Sequence, residues 1–150
     1  MTDATAVVRA TMLVVAWQTF QVPEKIDDVA PDGSEIRLLP RVKGGNMAHC
    51  LLPPGHVSRA TRHHLIEEVW FCFAGRGELW RRDANSAEIV GLQRGVAVSI
   101  PPGVEFQFRT LGYEPLQIVI TAMPPWPGPA EATLVDGVWP PSLAGNQPTS

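Results

Sequence analysis

Apolar and polar residues alternate over short runs along this chain, and clusters of Gly, Pro, Asn and Asp separate the runs. A period of two places successive side chains on opposite faces of a strand, so each run predicts a short β-strand. No segment carries an apolar stripe at helical spacing over ten or more residues. Strands are predicted at 36–39, 46–52, 69–74, 78–82, 88–92, 96–100, 106–110 and 116–123. Short strands at regular spacing indicate an all-β sandwich or barrel.

The turn residues also divide the chain of 150 residues, which has the length of one domain. Residues 1–30 are predicted as an N-terminal arm or extra strand, because the apolar run Met12–Trp17 is too short to span a bilayer. Residues 31–123 form the predicted barrel. Residues 124–150 are a Pro-rich tail with a frayed end, and we expect Trp126 to pack on the barrel or on a partner subunit. The alternative is a polyproline II peptide that binds another protein.

Charge and cysteine content narrow the function classes. The net charge is only -3 and no basic run is present, which argues against a nucleic-acid partner. The sequence likewise predicts no membrane partner and, in the absence of a recognisable signal peptide, a cytoplasmic location. Cys50 and Cys72 are the two cysteines, and we interpret them as buried reduced thiols. A disulfide between them remains the alternative.

Two spaced motifs of turn residues are the most specific signal in the chain. The first is Gly55-x5-Thr61-x-His63-x4-Glu68-x6-Gly75, and the second is Gly95-x5-Pro101-x-Gly103-x2-Phe106-x3-Thr110. Together they resemble the two motifs of the cupin superfamily, G-x5-H-x-H-x3,4-E-x6-G and G-x5-P-x-G-x2-H-x3-N. The resemblance implies an all-β fold, the cupin double-stranded β-helix or jelly-roll barrel.

The same resemblance places a metal site that this chain keeps only in part. Of the four usual ligand positions, His63 and Glu68 are retained, whereas Thr61 and Phe106 occupy the other two. A neutral hydroxyl is a weak ligand and a phenyl ring is none. The expectation is therefore no resident cofactor. The alternative is a divalent metal (Zn, Fe, Mn or Ni) held by His63, His64, Glu68 and His49, since the shorter spacing in the first motif would make His64 the ligand before Glu68.

Strand parity groups the side chains by face, and the resemblance implies that the face carrying Thr61 and His63 looks into the barrel. Thr61 and His63 share one face, and so do Glu68 and Trp70. The predicted catalytic pair is His63 and Glu68, because a carboxyl group in an apolar pocket has a raised pKa and can exchange protons near neutrality. The predicted ligand-binding residues are Arg59, Thr61, Trp70, Phe106 and Phe108. Such a pocket suits a small organic molecule.

Three functions follow as hypotheses. The first is a protein that binds a small organic metabolite and transforms it without a metal, by acid–base chemistry of the isomerase, epimerase or cyclase type. The second is a metal-dependent cupin enzyme of the dioxygenase or isomerase type that uses His63 or His64 with Glu68. The third is a non-catalytic binding or sensor module, in which His63 and Glu68 only satisfy each other's hydrogen bonds. Analogy with the superfamily also predicts a homodimer.

Overall fold

The computed structural model describes residues 16–145 and is built almost entirely of strands. The strands are β1 (Asp28–Val29), β2 (Glu35–Val42), β3 (Gly45–Leu52), β4 (Thr61–His63), β5 (Glu67–Ala74), β6 (Arg76–Arg82), β7 (Ala87–Gln93), β8 (Ala97–Ile100), β9 (Glu105–Leu111), β10 (Leu116–Met123) and β11 (Ala132–Leu134). One 3-10 turn, Pro129–Glu131, precedes β11. The predicted all-β class is confirmed, and every predicted strand lies in or overlaps an observed one.

The strands form two antiparallel sheets that face each other. One sheet has the order β1-β2-β3-β10-β5-β8, and the other has the order β11-β4-β9-β6-β7. Register fixes which side chains meet inside. Glu68 on β5 lies opposite Ala122 on β10, and Thr61 on β4 lies opposite Phe106 on β9. The first sheet therefore supplies Glu68 to the interior and the second supplies Thr61, His63 and Phe106.

Alternation along the strands divides core from surface as the sequence predicts. On β5, Glu68, Trp70 and Cys72 are buried, whereas Val69 and Phe71 are exposed on the outer face of the sheet. The inward residues of both sheets make one apolar cluster, which contains Leu52, Leu79, Ile100, Phe106, Phe108, Leu116 and Ile118 among others. Cys50 and Cys72 are buried and free, which confirms the prediction of reduced thiols.

Gly75 shows why a motif glycine is needed at the turn between β5 and β6. Its φ is +78°, a conformation that residues with a Cβ rarely adopt. A Cβ at this position would also lie 2.2 Å from the carbonyl oxygen of Pro115. Conformation and space together therefore exclude a side chain where the chain passes from one sheet to the other.

The tail returns to the barrel along the edge of the second sheet. β11 pairs with β4, with Ala132 opposite His63 and Leu134 opposite Thr61. Further on, the tail runs over the outside of the second sheet, where the buried Gln107 side chain makes four hydrogen bonds, three of them with the tail. Gln107 donates to the carbonyl oxygens of Ser58 and Trp139, and accepts from the N–H groups of Val138 and Trp139.

The described part of the N-terminal region begins at residue 16 and is attached to the end of β2. Most of the run Met12–Trp17, predicted as an extra strand or arm, lies outside the described residues. Gln18 exchanges hydrogen bonds with the backbone N–H and carbonyl of Arg41 near the end of β2. No helix within residues 16–145 has the length and apolar character needed to cross a membrane.

Candidate functional site

A cavity of about 270 Å³ lies between the two sheets at one end of the barrel. Its walls come from both sheets, from the loop around Asp32 and from the tail around Trp126. The apolar lining includes Ile36, Leu38, Ala48, Ile120, Ala122, Trp70, Phe106 and Trp126. The polar lining consists of Asp28, Asp32, Ser34, Arg41, Asn46, Thr61, His63 and Glu68. A mostly apolar cavity with a few convergent polar groups is the usual form of a small-molecule site.

His63 is enclosed by aromatic rings. Its side chain is 5% exposed, and its imidazole meets the rings of Phe106 and Trp126 edge-on, each at a centroid distance of 5.2 Å. Burial lowers the pKa of His63 to about 4, against the opposing effect of the nearby Glu131 carboxylate. The ring is therefore neutral at pH 7. Its Nδ1 atom is buried without a hydrogen-bond partner among the described residues.

Glu68 lines the same cavity as His63 but comes from the opposite sheet. Its side chain is 8% exposed, and its Oε1 atom accepts a hydrogen bond of 3.0 Å from Trp70 Nε1. Burial raises the pKa of Glu68 to about 7; the Trp70 hydrogen bond opposes the rise, and Asp32 adds to it. Within residues 16–145 Glu68 and His63 form no hydrogen bond with each other. The carboxyl group is thus half-protonated near neutrality, with Oε2 free to meet a ligand.

Asp32 is a second buried carboxyl group in this cavity, which the sequence analysis missed. Its Oδ1 atom accepts hydrogen bonds from Ser34 N at 2.9 Å and from Ser34 Oγ at 2.6 Å. Burial raises the pKa of Asp32, and the two bonds from Ser34 partly oppose that rise. The sequence Pro31-Asp32-Gly33-Ser34 signals a turn stabilised by an aspartate, but nothing in it signals that the turn lines a cavity.

Thr61 and Phe106 stand side by side on β4 and β9, at the two positions where the resemblance places metal ligands. Both line the cavity and both are about 1% exposed. The Phe106 ring packs between His63 and the Trp70 indole, which lies at 5.7 Å. An aromatic ring therefore fills the space beside the imidazole.

The structure does not bring the other proposed ligands to the cavity. His49 points to the outer face of β3, where its Nε2 pairs with Gln117 Oε1 at 2.8 Å. His64 is exposed and its Nε2 pairs with Thr133 Oγ1 at 2.9 Å. His49 is one step out of phase with the inward-facing positions of β3, so alternation turns it away. His64 follows the end of β4 at His63 and lies in the exposed connection to β5.

Two proposed ligand-binding residues also lie away from the cavity wall. Phe108 is fully buried beneath Trp70, with ring centroids 5.1 Å apart, and belongs to the core. Arg59 precedes β4, which begins at Thr61, so strand alternation does not extend back to it. Its backbone N–H instead donates to the carbonyl oxygen of Asp32. Of the residues predicted to bind a ligand, Thr61, Trp70 and Phe106 line the cavity.

Glu131 anchors the wall that the tail provides, and no sequence signal indicated it. Its Oε1 atom accepts hydrogen bonds from the backbone N–H groups of Leu65 and Ile66, at 2.5 and 2.8 Å. Burial acts to raise its pKa, but these two bonds together with the nearby imidazoles of His63 and His64 outweigh burial and hold the pKa of Glu131 below its usual value. The ionised carboxylate fastens the segment after Trp126 to the loop that connects β4 with β5.

The donor set does not fit a protein-bound transition metal. Such sites generally use three or more protein ligands, and in residues 16–145 no three His, Cys, Asp or Glu side chains are placed to hold an ion together. Phe106 closes the approach to His63 from the side where a further imidazole would stand. The chemistry of this cavity is therefore derived from its own side chains.

Comparisons with known proteins identify the family and the fold of the chain. Residues 48–122, half of the chain, match the family described as Cupin domain. An uncharacterized protein of Methanocaldococcus jannaschii is 29% identical over 103 residues, which cover 65% of this chain and 79% of the relative. Similar solved structures are a deletion mutant of Bacillus subtilis oxalate decarboxylase (TM-score 0.58, 15% identity, 68% of this chain) and the coconut allergen cocosin (TM-score 0.59, 19% identity, 70%). The chain spans only 28% and 30% of those two chains, and at such identity the likeness concerns the fold.

Proposed function

The chain belongs to the cupin family, and we propose that its barrel binds a small organic molecule and transforms it by proton transfer through Glu68. One observation carries the proposal. Glu68 is a buried carboxyl group with a pKa of about 7, and one of its oxygens has no hydrogen-bond partner in the described part of the chain. A general acid or base works best when its pKa lies near the working pH.

The roles of the neighbouring residues follow from their contacts. Trp70 holds one Glu68 oxygen, so the other oxygen is the one that reaches a bound molecule. His63 is neutral and offers one ring nitrogen as a donor and the other as an acceptor. Thr61 adds a hydroxyl group, and the rings of Phe106 and Trp126 exclude water. Removal of a proton from one carbon atom and its return to the opposite face of that atom is an epimerisation, and its return to a different atom is an isomerisation. A cyclisation follows if the deprotonated carbon attacks a carbonyl group of the same molecule and the proton goes to the new alkoxide oxygen.

The alternative of a metal-dependent enzyme is tested separately, by measuring whether the purified protein contains a metal ion. Bacillus subtilis oxalate decarboxylase, a structural neighbour, has Mn(II) centres. The buried imidazole and carboxyl groups of this cavity are His63, Glu68 and Asp32. No three such side chains within residues 16–145 are placed to hold one ion, so most coordination positions would fall to water or substrate. Elemental analysis of protein purified without a metal-affinity step decides the matter. An ion at near-unit stoichiometry that Glu68→Gln releases would overturn the metal-free proposal.

The proposal is tested in two stages. A metabolite library is first screened by thermal shift on the wild type, on Glu68→Gln and on the matched control Glu67→Gln, whose side chain is exposed on the opposite face of β5. Hits are then incubated in D₂O, and deuterium uptake at carbon is followed by NMR. We expect Glu68→Gln to reduce exchange by about 100-fold or more. Exchange that survives the substitution would contradict the role of Glu68.

Binding without any exchange would instead favour the non-catalytic module. The homodimer and the cytoplasmic location predicted from the sequence stay predictions. Light scattering of the purified chain tests the first, and fluorescence microscopy of a tagged chain in its host cell tests the second.

A further inference from the structure

We propose that the ligand of the cavity is a small organic amine, bound as its ammonium ion between the Glu68 and Asp32 carboxyl groups. The inference rests on the proposed function, because it names the substrate class of the same site. It depends on the balance of charge in the cavity, on its free hydrogen-bond acceptors and on its aromatic walls.

The buried ionisable groups of the cavity wall are mainly acidic. Glu68 and Asp32 are both buried there. Arg41 is the one cationic side chain among the described lining residues, and it is exposed, with its Nη1 bonded to the carbonyl oxygen of Trp126 at 3.2 Å. No Lys or Arg within residues 16–145 forms an ion pair with Glu68 or Asp32. Two buried carboxyl groups therefore lack a protein counter-ion.

The unused hydrogen-bonding atoms at the base of the cavity are mainly acceptors. In the described structure Glu68 Oε2 and Asp32 Oδ2 accept no hydrogen bond, because the bonds from Trp70 and Ser34 go to the other oxygen of each carboxyl group. The N–H of the Trp70 indole and the N–H and O–H groups of Ser34 are therefore not available to donate to a ligand. The other donors of the wall are the Thr61 hydroxyl, the Asn46 side-chain amide, one ring N–H of neutral His63 and the remaining N–H groups of the exposed Arg41. An ammonium group brings up to three N–H donors, which match acceptors of this kind.

The apolar part of the wall also suits a cation with a hydrocarbon body. Trp70, Trp126 and Phe106 all line the cavity. The faces of aromatic rings attract cations, and indole does so most strongly. A carboxylate ligand would meet the two acidic groups at the buried end of the cavity, whereas the cationic Arg41 is exposed and donates to the Trp126 carbonyl oxygen. The buried side chains therefore favour an ammonium ion over an organic acid.

Ionisation of Glu68 couples the binding of an amine to pH. An ammonium ion binds the carboxylate form, whereas burial keeps much of Glu68 protonated below pH 7. The charged or titratable groups around Glu68 come from several elements: Asp28 on β1, Asp32 in the following loop, Arg41 on β2, the Cys50 thiol on β3 and His63 on β4, with Glu131 behind His63. Binding near pH 7 should therefore release a proton, and affinity should rise about tenfold or more from pH 5.5 to 7.5.

The test uses ligand series of matched shape on the full chain. Benzylammonium, benzyl alcohol and benzoate form one series, and further ammonium compounds of about twelve non-hydrogen atoms or fewer are each paired with a neutral and an anionic analogue. Calorimetry at pH 7 in two buffers of different ionisation enthalpy counts the protons released. We expect the ammonium member alone to bind in a series, with proton release. Glu68→Gln should abolish that release, and Glu67→Gln should preserve it.

The outcomes separate the two proposals. Equal or tighter binding of neutral or anionic members overturns the amine inference, and if that binding depends on Glu68 the proposed function stands. Ammonium binding without proton release, or binding unaffected by Glu68→Gln, also overturns the inference. If no series and no metabolite of the library binds, the inference and the proposed function both fail.

Discussion

The Phe106 ring stands edge-on to the His63 imidazole, with a centroid distance of 5.2 Å and an interplanar angle of 68°. Phe106 belongs to β9 and His63 to β4, the neighbouring strand of the same sheet. The contact replaces a potential pair of metal-binding imidazoles with one imidazole that is buried, neutral and enclosed. It accounts for both the missing metal ligand and the low pKa of His63, because the ring excludes the water that would solvate a charged imidazole.

Replacing Thr61 and Phe106 by histidine should therefore create a metal site. Both side chains point into the cavity beside His63, and Glu68 faces them from the other sheet. Thr61→His with Phe106→His supplies three imidazoles and a carboxylate, and we expect the double variant to retain about one Zn²⁺ per chain after dialysis. Atomic absorption measures the retained metal. Adding Glu68→Gln should weaken retention, and a double variant that folds yet binds no metal would show that the four positions do not converge.

The titration of Glu68 should make stability fall as pH rises. Its pKa is about 7 in the folded chain and 4.5 for a freely exposed glutamate, so between these values the folded state holds a proton that the unfolded state has lost. The free energy of unfolding should drop by about 3 kcal/mol across this window relative to Glu68→Gln. Urea unfolding at pH 4.5, 5.5, 7 and 8 gives the difference curve. In the matched control Glu67→Gln, which retains Glu68, the free energy of unfolding should still fall across this window relative to Glu68→Gln.

The titration of His63 should instead make the free energy of unfolding rise with pH. Its pKa is about 4 when folded against 6.5 when exposed, so the unfolded state takes up the proton first as pH falls. The His63 contribution is complete above pH 6.5 and is lost progressively down to about pH 4. Relative to His63→Gln, the wild type should thus gain stability from pH 4 to 6.5. The same urea series measures it, and a difference curve that does not change with pH would contradict the burial of His63.

Removing the Trp126 ring should expose His63 to water. Trp126→Ala deletes one of the two rings that meet the imidazole, and burial is the main cause of the lowered pKa. We expect the pKa of His63, followed by NMR of the ring protons, to move up towards 6.5, and the unfolding free energy to fall by about 2 kcal/mol. Trp139→Ala is the matched control, because Trp139 packs on Arg109 outside the cavity. Its effect should be on stability alone.

Gln107→Leu should loosen the tail without touching the cavity. The substitution keeps a similar volume but leaves four backbone groups of Ser58, Val138 and Trp139 without partners. Unpaired buried polar groups are costly, so we expect a loss of about 3 kcal/mol. Hydrogen exchange should show faster exchange at Val138 and Trp139. Unchanged exchange there would mean that Gln107 does not hold the tail.

The amino-acid sequence by itself determined the fold and identified His63 and Glu68 as residues of the site. Turn glycines and alternating strands are local properties, and the spacing of His63 and Glu68 within one motif placed both residues on inward-facing positions. The tertiary structure decided the rest. Asp32 and Trp126 enter the cavity because a loop and the tail fold over the barrel, and no periodicity records such long-range contacts. His49 and His64 are close in sequence to the site, but alternation turns His49 outward on β3 and His64 lies in the exposed connection after β4. Whether a buried carboxyl group is charged depends on which distant residues surround it, and only the folded chain fixes that.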